Sequence, residues 1–212
     1  SINDTATATP FSTVTITDTD NVTVSVTLDA AAKGVFTPTS LTDSGFTSAG
    51  GGVYNLASTT AALAQAAIRQ LVFNPTDNRV AAASTEATTF TISVNDGVNT
   101  AVTNSTTTVT ATSVNDAPTN VALSASTVAE NTSTASALTV GALSSTDPDT
   151  GSTFTYSIVG GTDQASFQVN GANLQLKAGS TLDYEAQGSY AVTVRSTDQG
   201  GLTYDKALTI NL

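Results

Sequence analysis

Pairs of acidic residues at a spacing of two are the residues of this chain whose types could do chemistry. Asp18 and Asp20 form one Asp-x-Asp pair, and Asp147 and Asp149 form a second. Alternate residues of an extended strand point to the same side, so each pair can present two carboxylates to one ion. Ca²⁺ takes about six to eight oxygen ligands from carboxylates and carbonyls. The pairs therefore indicate binding of a hard divalent cation.

Two hydrophobic-Asn-Asp triplets stand about one sandwich-domain length apart and indicate that the chain repeats itself. Ile2-Asn3-Asp4 opens the first half, and Val114-Asn115-Asp116 opens the second. Each triplet is followed by a Pro, an Asp-x-Asp pair and, much later, an alternating strand that ends in Asp, at Asp96 and Asp198. The same order of features twice predicts a tandem repeat. We place the two domains at residues 1–113 and 114–212.

Strands with a period of two must position these acids. Apolar residues alternate with Thr, Ser or Ala in Val22–Leu28, Phe90–Val94, Phe154–Ile158 and Tyr190–Val194. Turn-forming Gly and Asn residues separate the strands, as in Asn170-Gly171. Short strands at this spacing predict an all-β fold with two tandem antiparallel Greek-key β-sandwich domains.

One short helix is predicted in the first domain, from Thr60 to Leu71. Leu63, Ala67 and Leu71 would share its buried face, and Ser58 or Thr59 could cap its start. The segment has no charged or aromatic face that would suit recognition, so we expect a structural crossover over one end of the sandwich.

Composition excludes several classes of function. The formal net charge of −11 comes from 17 acids against 6 scattered bases, whereas nucleic-acid binding needs clustered bases. Cys, His, Met and Trp are absent, which removes disulfides, thiolate chemistry, zinc or haem sites and His-based catalysis. No nucleophile–base pair is visible, so we do not expect an enzyme. No apolar run is long enough to cross a bilayer, and we expect no membrane insertion.

The second half resembles a cadherin repeat in five motifs that follow one another in the family's order. They are Val114-Asn115-Asp116-Ala117-Pro118, Ala129-Glu130-Asn131, Asp147-Pro148-Asp149, Leu182-Asp183-Tyr184-Glu185 and Ser196-Thr197-Asp198-Gln199-Gly200-Gly201. The first half lacks a Glu in its opening strand and has no Leu-Asp-x-Glu. With Leu71-Val72-Phe73-Asn74-Pro75 and Val94-Asn95-Asp96-Gly97, it is similar to a related repeat of giant bacterial surface proteins.

The resemblance implies cadherin-like tandem repeats of a large bacterial surface adhesin of the RTX, type I-secreted kind, with Ca²⁺ at each domain junction. The implied middle site takes Asn115, Asp116, Asp147, Asp149 and Asp198, with Glu86 as the contribution of the first domain. A partial site facing a preceding repeat takes Asn3, Asp4, Asp18, Asp20 and Asp96. A third set awaits the linker of a following repeat and consists of Glu130, Asp183 and Glu185.

We therefore expect an extracellular, calcium-stiffened spacer at a bacterial cell surface that acts in adhesion. Its partners would be neighbouring repeats of the same chain, with a host or cell-surface ligand as a further candidate, and the chain alone would be monomeric. One alternative is that the acids only cap turns. Another is a binding module for a carbohydrate or protein ligand, which needs an exposed aromatic platform, although Tyr156 and Tyr190 fit core positions.

Overall fold

A computed structural model describes all residues from Ser1 to Leu212. The chain divides into two compact units, Ser1–Val114 and Asn115–Leu212. Strands dominate both units and confirm the all-β class. None of the helices has the length and apolar character that would let it span a membrane.

The first unit contains eight strands and two α-helices. The strands are β1 (Ile2–Asn3), β2 (Asn21–Leu28), β3 (Gly34–Phe36), β4 (Thr47–Gly50), β5 (Val53–Thr60), β6 (Phe73–Pro75), β7 (Thr85–Asn95) and β8 (Val102–Thr112). The helices are α1 (Pro38–Ser44) and α2 (Ala61–Arg69).

Six of these strands form one sheet in the order β1-β8-β7-β2-β5-β4, and β3 pairs with β6 in a separate two-stranded sheet. All pairings are antiparallel except the short parallel contact of β1 with β8. The core between these layers is aromatic, because the rings of Phe11, Phe36, Phe73 and Phe90 are all fully or almost fully buried. Phe73 and Phe90 meet edge to face with ring centroids 5.0 Å apart.

Helix α2 lies where the sequence predicts a helix, but its cap and its buried face differ from the expectation. Thr60, rather than Ser58 or Thr59, caps it by accepting a hydrogen bond from the Leu63 amide. Ala67 and the following Leu71 are buried as predicted, but Leu63 is 61% exposed, and Ala64 and Ile68 complete the buried face. Small alanines leave room for the sheet to approach the helix, whereas Leu63 projects to solvent.

Helix α1 is an addition to the single helix predicted from sequence. Thr37 caps it by accepting from the Ser40 amide, Pro38 occupies its first turn, and Gly45 ends it in the left-handed conformation. These residues are ordinary start and stop signals of a helix. The helix between them has only seven residues, which is too short for a helical pattern of hydrophobic residues to be recognised in the sequence.

The second unit is a two-layer antiparallel β-sandwich of seven strands. They are β9 (Asn120–Leu123), β10 (Leu138–Thr146), β11 (Phe154–Gly160), β12 (Phe167–Asn170), β13 (Asn173–Leu176), β14 (Ser189–Asp198) and β15 (Thr203–Asn211). One sheet has the order β12-β13-β10-β9 and the other has the order β11-β14-β15. The core between them includes Phe167, Leu174, Val194 and Ile210, so the predicted alternation of inward and outward residues is confirmed.

Candidate metal centre

Three loops meet at one end of the second unit and carry five of the predicted ligands. Asp147 and Asp149 follow the end of β10, and Asp198 is the last residue of β14. Asn115 and Asp116 precede β9, which pairs with β10 through Asn120 and Thr146. The sandwich topology thus gathers residues that lie far apart in sequence.

Hydrogen bonds join these loops. The Asn115 side-chain amide donates to Asp198 Oδ2 at 2.9 Å, and the Asp116 backbone N–H donates to Asp149 Oδ2 at 2.7 Å. The other Asp198 oxygen accepts from the Leu202 amide at 2.9 Å. The segment that opens the unit is therefore tied to both the β10–β11 loop and the end of β14.

The Asp147–Asp149 pair lies in a turn and not in an extended strand, which corrects the expectation from strand alternation. The Asp147 carboxylate accepts from the Asp149 amide at 2.9 Å. A side-chain oxygen that binds the backbone two residues on is the usual way in which Asp shapes a turn. The turn still leaves one oxygen of each carboxylate available.

Three oxygen atoms of this cluster are buried and accept no hydrogen bond. They are Asn115 Oδ1, Asp147 Oδ2 and Asp149 Oδ1. An unsatisfied buried acceptor costs about 1–3 kcal/mol, and more when the group is charged. Such orphaned acceptors are rare in native proteins, and a cation or a water molecule is the kind of partner that would satisfy them.

The electrostatics of the cluster favour a cation. Asp149 is only 5% exposed. Burial raises the pKa of its carboxyl group, and the negative charges of Asp147, Asp116 and Asp198 raise that pKa further, against the opposing hydrogen bond from the Asp116 amide. As they stand, no three acidic side chains are close enough together to hold a metal ion. Carboxylates that repel one another would have to draw closer around a cation, which would offset their repulsion.

Gly200 makes room for Asn115, a role that sequence reasoning missed. A Cβ atom at Gly200 would lie 2.3–2.4 Å from Asn115 Cγ, Nδ2 and Oδ1, far inside van der Waals contact. The signal was present in the Asp198-Gln199-Gly200-Gly201 stretch. Its meaning was hidden because the neighbour of Gly200 comes from a distant part of the sequence.

The structure does not bring the five predicted amino-terminal ligands together. Asp4 lies beside the end of β8, where its carboxylate accepts from the amides of Val114 at 3.0 Å and Asn78 at 3.2 Å. Asp96 follows the opposite end of β7. The 11 residues of β7 extend about 33 Å, so Asn3 and Asp4 cannot share an ion with Asp96.

Asp18, Asp20 and Asp96 lie on the side of the first unit away from Asp4. Asp18 and Asp96 line the same surface cavity, and Asp18 accepts from the Asp20 amide at 2.9 Å. Hydrogen bonds from the backbone and side chain of Asn99 and from the Val98 amide lower the pKa of Asp96 to about 2. Asp96 therefore caps its own turn, as the alternative interpretation of these acids expects.

Glu86 lies in β7 and forms an ion pair with Arg79. Two hydrogen bonds of 2.7 and 3.0 Å join the guanidinium to the carboxylate, and they lower the pKa of Glu86. Its predicted contribution to the middle site remains a prediction.

The third predicted set lies on exposed loops near the end of the second unit that is remote from Asp198. Glu130, Asp183 and Glu185 are all exposed. Asp183 accepts from the Ala186 amide at 3.3 Å, and the neighbouring Asn131 amide donates to the Leu182 carbonyl. Tyr184 in this loop is the one aromatic side chain of the chain that is exposed, and one ring does not make a platform for a sugar.

One family model matches part of the second unit. Residues 124–212 match the family model of the cadherin domain, which confirms the cadherin resemblance for this part of the chain. No curated protein matches the chain.

Several solved structures of cadherin ectodomains are similar to the chain. Protocadherin Gamma B2 extracellular cadherin domains 3-6 show 15% identity and a TM-score of 0.47, over 89% of this chain and 41% of that one. Chicken VE-cadherin EC1-2 shows 16% identity and a TM-score of 0.41, over 94% of this chain and 87% of that one. The chain thus spans about two fifths of the length of the first protocadherin structure.

Proposed function

We propose that the second unit binds Ca²⁺ and that the chain is a calcium-dependent spacer of an extracellular adhesion protein. The ligands are Asn115, Asp116, Asp147, Asp149 and Asp198. The observation that carries the proposal is the set of three buried oxygen atoms without hydrogen-bond donors, on Asn115, Asp147 and Asp149. A bound cation would satisfy all three at once.

The chemistry of the donors favours calcium over other metals. Every candidate ligand is a carboxylate or amide oxygen, and the chain contains no Cys or His that would select a softer metal. Mg²⁺ prefers a tight octahedral shell and usually keeps several waters, whereas Ca²⁺ accepts a larger and less regular set of protein oxygens. We expect affinity in the range of extracellular calcium modules, about 10⁻⁴ to 10⁻³ M.

Calcium would act on the backbone that joins the units. Asn115 and Asp116 are the first residues after Val114, and they are already bonded to Asp198 and Asp149. An ion held by the same groups removes conformational freedom from this segment, which makes the spacer stiffer. It also stabilises the second unit, because only the folded state gathers the ligands.

The cadherin match of residues 124–212 supports an extracellular adhesion module with neighbouring repeats of the same chain as its partners. The similarity of the first half to repeats of giant bacterial surface proteins suggests a bacterial adhesin as the parent. A monomeric spacer that projects an adhesive region from the cell surface is compatible with both similarities.

The test is a thermal melt and small-angle scattering, with and without millimolar calcium. We expect calcium to raise the Tm of the second unit and to increase the radius of gyration. Asp147→Asn with Asp149→Asn keeps the shape of both side chains, removes two charges and should abolish both effects. Asp183→Asn with Glu185→Gln removes two charges from the other end of the same unit and should leave both effects. An equal response of the two double variants would overturn the assignment.

A further inference from the structure

The first unit contains an open groove that the proposed calcium function does not use. It consists of two contiguous lobes of about 350 and 410 Å³ that share Thr15, Ile16, Val94 and Val102. The groove runs between the segment 13–17, which belongs to no strand, and the inner faces of β7 and β8. Its two walls and its floor are chemically distinct.

One wall is an unpaired strand edge. β8 pairs with β7 along its length, but on its other side β1 covers only Ala111 and Thr112. The outer edge of Val102–Thr110 has no strand partner and includes no charged residue or Pro, the devices that usually protect an edge. A register shift in the β7–β8 ladder interrupts this edge near Thr106. The Thr106 amide donates a 3.0 Å hydrogen bond to the Asn104 side chain.

The other wall is held in place by helix α2. Gln65 accepts from the Ile16 amide at 3.0 Å, and Arg69 donates to the Val14 carbonyl at 2.7 Å. Exposure alternates from Val14 to Thr17, as it does in extended backbone, where the groups of successive residues point in opposite directions. The backbone groups of Thr15 and Thr17 therefore face away from α2. These two residues line the groove, and the wall therefore offers it a second set of backbone donors and acceptors.

The floor is apolar and incompletely covered. Val94 and Val102 are opposite each other in the β7–β8 ladder, next to the pair of buried Ile92 with Asn104. Directly opposite residues share one face of a sheet, so Val102 faces the interior with Val94 and Ile92. It is nevertheless 74% exposed. An inward-facing Val that is exposed to solvent marks a place where the sheet has no packing partner.

The charges that line the groove indicate what kind of partner it can bind. Asp18 and Asp96 line one lobe, and neither lobe is lined by a Lys or Arg. With a formal net charge of −11, a second copy of this chain would be repelled. A basic partner would be attracted to the acidic lobe.

We propose that this groove binds an extended peptide segment of a partner protein by strand addition. The backbone of the segment pairs with the β8 edge and with the segment 13–17, and its apolar side chains at alternate positions cover Val94 and Val102. A Lys or Arg at one end lies beside Asp18 and Asp96. Strand addition of this kind takes affinity from main-chain hydrogen bonds and specificity from pockets for alternate side chains.

The test uses the whole chain in EDTA, so that calcium binding plays no part. The probes are two synthetic peptides in which Val and Thr alternate, one with Lys at both ends and the other with Glu at both ends. We expect calorimetry to show at least tenfold tighter binding of the Lys peptide. Hydrogen exchange should show peptide-dependent protection of amides in Val102–Thr110 and in the segment 13–17.

Two exposed valines supply matched variants. Val102→Lys places a charge on the floor of the groove and should weaken binding of the Lys peptide at least tenfold. Val35→Lys makes the same change in β3, at a residue that is 50% exposed outside the lining, and should leave the affinity within twofold. Asp18→Asn with Asp96→Asn should remove the preference for Lys over Glu, whereas Asp43→Asn on helix α1 should not.

Three outcomes would overturn the proposal. One is the absence of peptide-dependent protection along β8. Another is an equal loss of affinity in the two Lys variants. The third is protection that rises with protein concentration when no peptide is present, which would make a second copy of the chain the occupant.

Discussion

Replacement of Gly200 by Ala is the sharpest perturbation of the proposed metal centre, because it changes no ligand. The new Cβ atom would lie 2.3–2.4 Å from three atoms of the Asn115 side chain. These atoms are the far end of the side chain, so Asn115 can rotate away without displacing the backbone. The rotation breaks its 2.9 Å hydrogen bond to Asp198 and withdraws its Oδ1 atom from the cluster.

The cost follows from that hydrogen bond. Bonds to charged groups contribute about 1.5–3 kcal/mol when buried, and the half-buried position of Asn115 places the loss near the lower end. A loss of about 1.5 kcal/mol lowers the Tm of a domain of this size by roughly 6–12 °C. Withdrawal of one oxygen ligand should also weaken calcium binding at least tenfold, which corresponds to about 1.4 kcal/mol.

The assay measures calcium affinity by isothermal titration calorimetry and the Tm by thermal melting. It compares the parent chain with Gly200→Ala and Gly160→Ala. Gly160 is a matched control in the same unit, since its added Cβ would lie 3.6 Å from Thr193, which is ordinary contact. Neither glycine has a positive φ, so the two alanines differ in what they touch and not in backbone strain. Parent-like calcium affinity in Gly200→Ala would refute the role of Asn115 in the site.

Three further predictions concern charge and packing. The pKa of Asp149 is raised in the folded state, so calcium-free stability should fall as pH rises above 3.8, the ordinary pKa of an Asp carboxyl. Asp149→Asn should remove this fall and raise the calcium-free Tm at neutral pH, as melts in EDTA across pH can show. The pKa of Glu86 is lowered by Arg79, so the stability that this ion pair contributes should be present above about pH 4.5 and be lost as pH falls. Because both side chains are partly exposed, Glu86→Gln should cost no more than about 1 kcal/mol of unfolding free energy in a urea melt. Leu71→Ala should lower the free energy of unfolding by about 2–5 kcal/mol because Leu71 is fully buried. Leu63→Ala should change it by no more than about 0.5 kcal/mol in the same melt, because Leu63 is exposed. Similar losses in the two variants would contradict the observed buried face of α2.

Local patterns predicted the secondary structure well where they were long enough. Alternation in Val22–Leu28 and Tyr190–Val194 depends on residues two apart, and both segments are strands with alternating burial. The face of helix α2 was harder to predict, because Leu63 is the more hydrophobic residue but Ala64 fits against the sheet. Hydrophobicity alone does not reveal how closely a helix approaches its neighbour.

The candidate site shows the same division. The residue types at Asp147, Asp149 and Asp198 were readable as oxygen ligands, and their order along the chain matched a known family pattern. The amino-terminal set shared the same triplet and pair, yet Asp4 lies at the opposite end of β7 from Asp96. A sequence motif identifies the residues that could act as ligands. The direction and length of the strands determine at which end of a sheet those residues lie.

The sequence by itself determined the all-β class, the oxygen-only chemistry and the exclusion of Cys- and His-based sites, since these depend on composition and on neighbours a few residues apart. The tertiary structure alone decided that Gly200 leaves room for Asn115, that three acceptor oxygens are buried without donors, and that β8 keeps an open edge. Each of these depends on atoms tens of residues apart in the chain, and close packing is what brings such atoms into contact or leaves a gap between them.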